Sequence, residues 1–127
     1  AGTGAFIEEI AVRLALPIEQ MDGLAKGTEE AVRMSSFCTV FAKTEILAHL
    51  RKGVPVQSIV RGAFDSVVLR VTEMAPLTGK VVLTGGVVAH NPTIAELLAE
   101  RVAGEVVVAP HPQFTGALGA ALLAAKE

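Results

Sequence analysis

Residues 80–109 read KVVLTGGVVAHNPTIAELLAERVAGEVVVA, and this stretch decides the fold. The β-branched run Lys80–Thr84 is typical of a buried strand, and the pair Gly85-Gly86 ends it. The pair Asn91-Pro92 predicts a helix start, with asparagine as N-cap and proline at the first helical position. A second β-branched run follows at Glu105–Ala109. The stretch therefore predicts two buried strands, paired in parallel and joined through a glycine loop and a helix.

The segments on either side of this stretch predict helices. Apolar residues at helical spacing mark residues 6–14, 18–32, 42–50 and 55–74, and glycines at positions 23 and 27 shorten or break the second segment. The longest helix carries an apolar stripe of Val60, Phe64, Val67, Val71 and Met74. The closing segment, residues 116–123 (GALGAALL), predicts a helix of small residues that packs very near its neighbours.

The composition agrees with an α/β domain and excludes several classes of protein. Hydrophobic residues make up 51% of the 127 residues and aromatics only 4%, so we expect a single domain, residues 1–127, with an aliphatic core. The formal net charge is −2 and no run of like charges is long enough to form a phosphate-binding stripe or a tail, which argues against a nucleic-acid partner. Prolines interrupt the longest uncharged stretch, which runs through Ala109 to Ala125, so it does not suit a membrane-spanning helix.

Gly85-Gly86 is the first candidate for a ligand site. Two glycines at a strand end let the backbone approach a phosphate or an adenosine, because no Cβ atom stands in the way. A simple tight turn is the alternative. The six-residue glycine fingerprint of dinucleotide sites and the P-loop lysine do not occur, which disfavours both of those nucleotide-binding folds.

Gly2-Thr3-Gly4 and Cys38 are further candidates. The first reads as a loop entering a helix, whose backbone amides favour an anion or a negatively charged cluster; a simple cap is the alternative. Cys38 lies near another predicted helix start, which favours its thiolate form. The alternatives are a small buried apolar residue, or a zinc site with His90 and His111. As the single cysteine it excludes an internal disulfide and suits the reducing cytoplasm, where we place the protein.

Three other polar residues near Cys38 receive ordinary interpretations. Lys43 and Glu45 are expected on a solvated helix face. His49 is expected to be solvated or to interact with a helix C-terminus.

Four ordered blocks of the sequence resemble one family. They are residues 2–6 (GTGAF), residues 37–45 (FCTVFAKTE), residues 83–87 (LTGGV) with Asn91, and residues 116–121 (GALGAA). Together they resemble the ATPase family of 2-hydroxyacyl-CoA dehydratase activators and the homologous ATPase subunits of benzoyl-CoA reductase. The resemblance covers nearly the whole chain, and the cysteine block is its most distinctive part.

The resemblance implies an actin-like, sugar-kinase-like (ribonuclease H-like) ATPase that binds ATP with Mg²⁺ between two lobes. It also implies a dimer that shares one [4Fe–4S] cluster, with Cys38 as one ligand and Gly2, Thr3 and Gly4 at an adjacent helix N-terminus. By the same resemblance Gly85, Gly86 and Val87 form the adenosine-side loop, and Asn91 begins the helix behind it. ATP hydrolysis would then drive one electron to a CoA-ester dehydratase or reductase.

The chain is expected to be a fragment, the helix-rich C-terminal lobe with a small buried sheet. The family's N-terminal lobe, its phosphate loops and its acidic Mg²⁺ ligands are missing from this sequence, so no catalytic residue is assigned. The isolated chain should fold, bind nucleotide weakly, leave ATP unhydrolysed and carry no cluster. The parent protein should pair as a homodimer or with a related subunit. The alternatives are a carbohydrate or acyl kinase of the same superfold and a non-catalytic interaction domain.

Overall fold

The structure is a computed structural model that describes residues 2–35 and 38–127. The chain divides into two compact units, an N-terminal unit (Ala1–Pro76) and a C-terminal unit (Leu77–Glu127). The helices of the N-terminal unit are α1 (Thr3–Arg13), α2 (Met21–Lys26), α3 (Thr39–Arg51) and α4 (Val56–Met74), with a 3₁₀ turn at Ile18–Gln20. The C-terminal unit contains β1 (Lys80–Leu83), α5 (Gly86–His90), α6 (Pro92–Arg101), β2 (Glu105–Val108), a 3₁₀ turn at Pro112–Phe114 and α7 (Thr115–Ala124).

Helix α4 forms the centre of the N-terminal unit. Val60, Phe64 and Val67 of its predicted apolar stripe are buried, together with Ile59 on the adjoining face. Burial of each such side chain stabilises the fold by about 1.5–3 kcal/mol. The last member of the stripe, Met74, is exposed, so the stripe lies in the core only over the first part of the helix. Residues of α1, α2 and α3 complete this core: Phe6, Ile7, Ile10, Met21, Ala25, Ala42 and Ile46.

The chain between α2 and α3 lies directly on α4. The amide of Val32 donates a hydrogen bond to the carbonyl of Ser58 at 3.1 Å. A Cβ atom at Gly62 would overlap the carbonyl oxygen of Val32, so only glycine allows this approach. Nearby, the Nη1 atom of Arg61 donates to the carbonyls of Ala25 and Thr28 at 3.2 and 3.1 Å. The helix predicted over residues 18–32 therefore stops at Lys26, and the residues after it follow the surface of α4.

Helices α1 and α3 are linked by an ion pair. The ammonium of Lys43 lies 3.0 Å from a carboxylate oxygen of Glu9, and Arg13 donates to the same oxygen at 2.8 Å. Hydrogen bonds from Lys43 and then Arg13 lower the pKa of Glu9. Lys43 is partly exposed, as expected for a solvated helix face, and its side chain also joins two helices.

Because of this ion pair, we expect the free energy of unfolding to decrease in acid. A lowered pKa means that Glu9 stabilises the fold above its unfolded-state pKa, near the ordinary value of 4.5, and that this increment disappears as the pH falls through the lowered pKa. Glu9→Gln should be slightly less stable than the parent chain at neutral pH and equal to it in acid. Thermal unfolding across this pH range, with Glu8→Gln as control, measures the difference; a gap that persists in strong acid would contradict the assignment.

The C-terminal unit is built on the predicted parallel pair of strands. Val81 pairs with Val106 and Val82 with Val107, in parallel, which confirms the predicted pairing. Gly104 lets the turn before β2 touch the backbone of Gly79, where a Cβ atom would overlap the carbonyl oxygen. Helix α6 packs on β2 and buries three apolar side chains, Ile94, Leu97 and Leu98.

The strands are less buried than the sequence indicated. Val82 is 55% exposed, and no residue of β1 or β2 is fully buried. Helix α7 forms as predicted and contacts the 3₁₀ turn that precedes it, but it buries none of its residues. Among the helices of residues 2–35 and 38–127, none has both the length and the apolar character needed to cross a bilayer.

Candidate functional site

The turn after β1 depends on a conformation that only glycine adopts easily. Gly85 has φ 103° and ψ 169°, a region closed to residues with a Cβ atom. Its amide donates a 2.7 Å hydrogen bond to the carbonyl of Pro112, which ties the turn to the segment after β2. Both partners follow the carboxyl ends of parallel strands, the edge at which open α/β sheets bind ligands.

Gly86 differs from its neighbour, because the fold does not require glycine there. Its φ is not positive, and a Cβ atom would meet only the side chain of Gln113, at 3.7 Å, which is ordinary van der Waals contact. An alanine therefore fits in this structure. A glycine at a position that accepts alanine leaves open space, and a ligand lying close to the backbone would use that space.

The side chains of Gln113 and His90 lie beside this loop and contact each other, which the sequence did not predict. His90 Nε2 lies 3.2 Å from Gln113 Oε1, and the amide nitrogen of Gln113 is the atom nearest to the position of a Gly86 Cβ. His111 has a left-handed backbone, with φ 47°, and it precedes the 3₁₀ turn that carries Gln113. The two prolines around His111 could have indicated this segment in the sequence, since prolines after a strand mark a fixed turn.

Residues after Gly85 form a short helix and not the predicted loop. Gly86 and Val87 lie in α5, and Val87 is half-buried. Asn91 stands at the N-cap position of α6, as predicted, but its side chain does not cap that helix. The Nδ2 group of Asn91 donates to the carbonyl of Val87 at 2.9 Å, and so does its backbone amide at 2.9 Å. Asn91 is buried at the C-terminal end of α5, and its two hydrogen bonds to Val87 hold the end of that helix in place.

Cys38 is exposed at the N-cap position of α3, so the prediction that it lies near a helix start is confirmed. Two apolar residues that follow it, Val40 and Phe41, are exposed as well. Glu45 organises the segment before it, because one carboxylate oxygen accepts hydrogen bonds from the amide and the hydroxyl of Ser35 at 2.7 and 2.8 Å. Glu45, expected on a solvated helix face, makes these hydrogen bonds in an exposed environment and is therefore also a structural contact. Ser36, and Phe37 of the cysteine block, lie outside the described residues.

The candidate at the start of the chain is the first turn of a helix and not a loop. Gly2 occupies the N-cap position of α1 with φ 83°, and Thr3 and Gly4 already belong to the helix. The carbonyl of Gly2 accepts the amide of Phe6 at 2.9 Å, and no acidic side chain lies in the first turn. The backbone amides of this turn therefore face no carboxylate of their own helix.

The histidine of the N-terminal unit agrees in position with one of its two interpretations. His49 lies in the last turn of α3, near a helix C-terminus as one interpretation required, but its Nε2 atom is buried without a hydrogen-bond partner in the described structure. Among the described residues, no group of three His, Cys, Asp or Glu side chains is placed to hold a metal ion. The zinc alternative, with Cys38, His90 and His111, thus finds no support.

The predicted residues fall into two groups. Gly85, Gly86, Val87 and Asn91 lie together in the C-terminal unit, where one short helix connects them. Cys38 and the first turn of α1 belong to the N-terminal unit.

The fold and the glycine loop define a class: a helix-rich α/β chain whose structural neighbours are activator ATPases of the actin-like fold. The profile of the BadF/BadG/BcrA/BcrD ATPase family matches residues 1–124, and the chain belongs to that family. It is similar to the solved activator of the 2-hydroxyisocaproyl-CoA dehydratase from Clostridium difficile with bound ADPNP, with a TM-score of 0.84 and 35% identity. That likeness covers 98% of this chain and 47% of the activator.

The chain is also similar to two dehydratase activators and to one reductase subunit. It is 37% identical over 130 residues to the 2-hydroxyisocaproyl-CoA dehydratase activator of Clostridioides difficile, covering all of this chain and 48% of the relative. It is 41% identical over 127 residues to the activator of lactoyl-CoA dehydratase of Anaerotignum propionicum, covering 98% and 49%. A benzoyl-CoA reductase subunit of Thauera aromatica is 29% identical over 130 residues, covering 96% and 46%. The chain thus spans about half the length of these relatives.

Proposed function

We propose that this chain is the nucleotide-side, C-terminal lobe of an ATP-dependent activator of a 2-hydroxyacyl-CoA dehydratase. The observation that carries the proposal is the Gly85-Gly86 turn at the carboxyl end of β1, in a chain similar over 98% of its length to an activator with bound ADPNP. Gly85 is required by its backbone conformation, whereas Gly86 is not required by packing. Space for a nucleotide accounts for the glycine at position 86.

The adenosine would lie against the backbone of Gly86. The side-chain amide of Gln113 offers both a donor and an acceptor to a base, and His90 orients that amide by its contact at 3.2 Å. Asn91 holds Val87 and hence the whole of α5 in place. In this proposal Gly86 and Gln113 touch the nucleotide, while Gly85, His90 and Asn91 position them.

The dehydratase branch is favoured over the reductase branch. The two dehydratase activators are 37% and 41% identical to this chain, against 29% for the reductase subunit. The partner would accordingly be a 2-hydroxyacyl-CoA dehydratase. Phosphate contacts and Mg²⁺ ligands would come from the half of the relatives' length that this chain does not span.

Cys38 suits the role of one cluster ligand at a subunit interface. A [4Fe–4S] cluster takes about four thiolates, and this chain has one cysteine, so the remaining ligands must come from other segments or subunits. Cys38 is exposed, and exposed Val40 and Phe41 beside it offer apolar surface for a second subunit. The amides of the first turns of α1 and α3 favour the negative charge of such a group. When bound, the cluster would supply one-electron transfer to the dehydratase.

Substitution of Gly86 tests the nucleotide site separately from the fold. Because the added Cβ of Gly86→Ala meets only ordinary contacts, the variant should unfold at the same temperature as the parent chain. The same methyl group would occupy the place of the adenosine, so the affinity for ADPNP should fall about tenfold or more, a loss of about 1.4 kcal/mol or more. Isothermal titration calorimetry of the 127-residue chain measures this affinity, which should itself be weak.

Gly116→Ala is the matched control, because its added Cβ meets nothing within 4 Å and it lies in the same unit. It should bind ADPNP as the parent chain does. Equal binding by Gly86→Ala and the parent chain would overturn the assignment of this loop. Release of phosphate from ATP by the parent chain, above that of Gly86→Asp, would show that the chain already contains hydrolytic residues and would contradict its role as the nucleotide-side lobe alone.

A further inference from the structure

The contact between His90 and Gln113 determines which group Gln113 presents to the open space beside Gly86. His90 Nε2 lies 3.2 Å from Gln113 Oε1. Because an amide oxygen only accepts hydrogen bonds, His90 is the donor in this contact. The other end of the carboxamide, Nε2 of Gln113, is the atom nearest to the position of a Gly86 Cβ, at 3.7 Å. Of the two groups that the amide offers, the donor therefore faces this glycine.

The backbone holds both side chains in place. His90 is the last residue of α5, and the next residue, Asn91, is bound to that helix by two hydrogen bonds. Gln113 lies in the 3₁₀ turn after β2, where the carbonyl of Pro112 accepts the amide of Gly85 at 2.7 Å. This backbone hydrogen bond already joins the two segments, and both side chains are exposed, so their contact adds little to the stability of the fold.

We propose that Gln113 recognises the base of the nucleotide by donating a hydrogen bond to a purine ring nitrogen, and that His90 is the positioning residue that orients the donor. The inference rests on the proposed function and adds to it the atom by which the base is recognised. A carboxamide has nearly the same shape when its two ends are exchanged, so without a partner it presents either a donor or an acceptor. With its oxygen held by His90, it binds a base that accepts at this place and rejects a base that carries a proton there.

Base-modified nucleotides test which group of the base Gln113 contacts. The probes are ADP and its 1-deaza, 3-deaza and 7-deaza analogues, in each of which a ring nitrogen is replaced by C–H. Calorimetric titration of the 127-residue chain should show at least one analogue binding about tenfold more weakly than ADP, because the donor of Gln113 then meets a carbon. Gln113→Leu should bind ADP and the analogues equally. Gln20→Leu, at an exposed glutamine of the N-terminal unit, is the matched control and should keep the parent's preference.

The role of His90 is tested by loss and rescue of this preference. His90→Phe removes the donor to Gln113 and should reduce the preference for ADP to about twofold or less. His90→Gln should restore it, because the amide nitrogen of a glutamine has a similar reach and also donates. The unfolding temperature should be the same in all of these variants, because both side chains are exposed. A merely structural contact would change stability and leave the preference intact.

Three results would overturn this inference: equal binding of ADP and all its analogues by the parent chain, a preference that persists in Gln113→Leu, or no rescue by His90→Gln. Each of them leaves the binding of ADP itself in place. Absence of ADP binding by the parent chain would instead overturn the proposed function, and this inference with it, so the two failures are distinguishable.

Discussion

Gly62→Ala should destabilise the N-terminal unit by about 3 kcal/mol, because the new Cβ would overlap the backbone carbonyl of Val32. Backbone cannot move aside as the end of a flexible side chain can. The segment around Val32 would have to leave α4 and would lose the hydrogen bond from its amide to Ser58. The higher helix propensity of alanine returns only about 1 kcal/mol, so the clash dominates.

Gly23→Ala is the matched control for this experiment. Gly23 also lies inside a helix of the same unit, but a Cβ atom there meets nothing within 4 Å. Its substitution should therefore stabilise the chain, by about 0.5–1 kcal/mol. Urea unfolding followed by circular dichroism compares the two variants. If Gly62→Ala unfolds at the same urea concentration as the parent chain, Val32 does not lie as close to α4 as described here.

The comparison of these two glycines shows where sequence reasoning stops. Both look alike in a helical pattern, and only the position of Val32, thirty residues away in the chain, separates them. Gly85 and Gly86 are a second pair of glycines that the sequence does not distinguish. The pair was predicted as a ligand loop from its place after a strand, and the structure shows that backbone conformation requires glycine at position 85 but not at position 86.

Local sequence patterns predicted the helices and strands, because these elements form from residues that are close together in the chain. The parallel strands, the long helix from Pro55 and the position of Cys38 at a helix start all follow from periodicity and capping. The short helix α5 was missed because two glycines and two valines favour a loop or a strand. Gln113 was missed because its contact with His90 spans twenty-three residues, and no local pattern contains such a distance.

Asn91 and α7 show the reverse case, in which a correct local prediction misjudged the surroundings. Asn91 takes the predicted N-cap position, yet its side-chain amide donates a hydrogen bond to the carbonyl of Val87 in the preceding helix. Helix α7 forms where its sequence predicts, yet its apolar side chains are exposed. Propensity places a residue in an element, but the contacts of that element depend on which other segments are present.

Cys38→Ala should leave the 127-residue chain as stable as its parent, since Cys38 is exposed and its removal opens no cavity. Ile46→Ala in the same helix should instead cost about 2–5 kcal/mol, because Ile46 is buried in the core. Thermal unfolding of the two variants separates a surface position from a packing position. A loss of stability on Cys38→Ala comparable to that of Ile46→Ala would assign Cys38 to the core and not to an interface.

The same substitution should have its largest effect in a protein of the relatives' full length that contains this chain. If the proposed dimer takes two cysteines from each subunit, Cys38→Ala removes two of the roughly four thiolates that hold the cluster. Iron content and visible absorbance should then fall to background, and electron transfer to the dehydratase should stop. Binding of ADPNP should persist, because Gly85 and Gly86 belong to the other unit. A full-length Cys38→Ala protein with normal iron content would exclude Cys38 as a cluster ligand while leaving the nucleotide site intact.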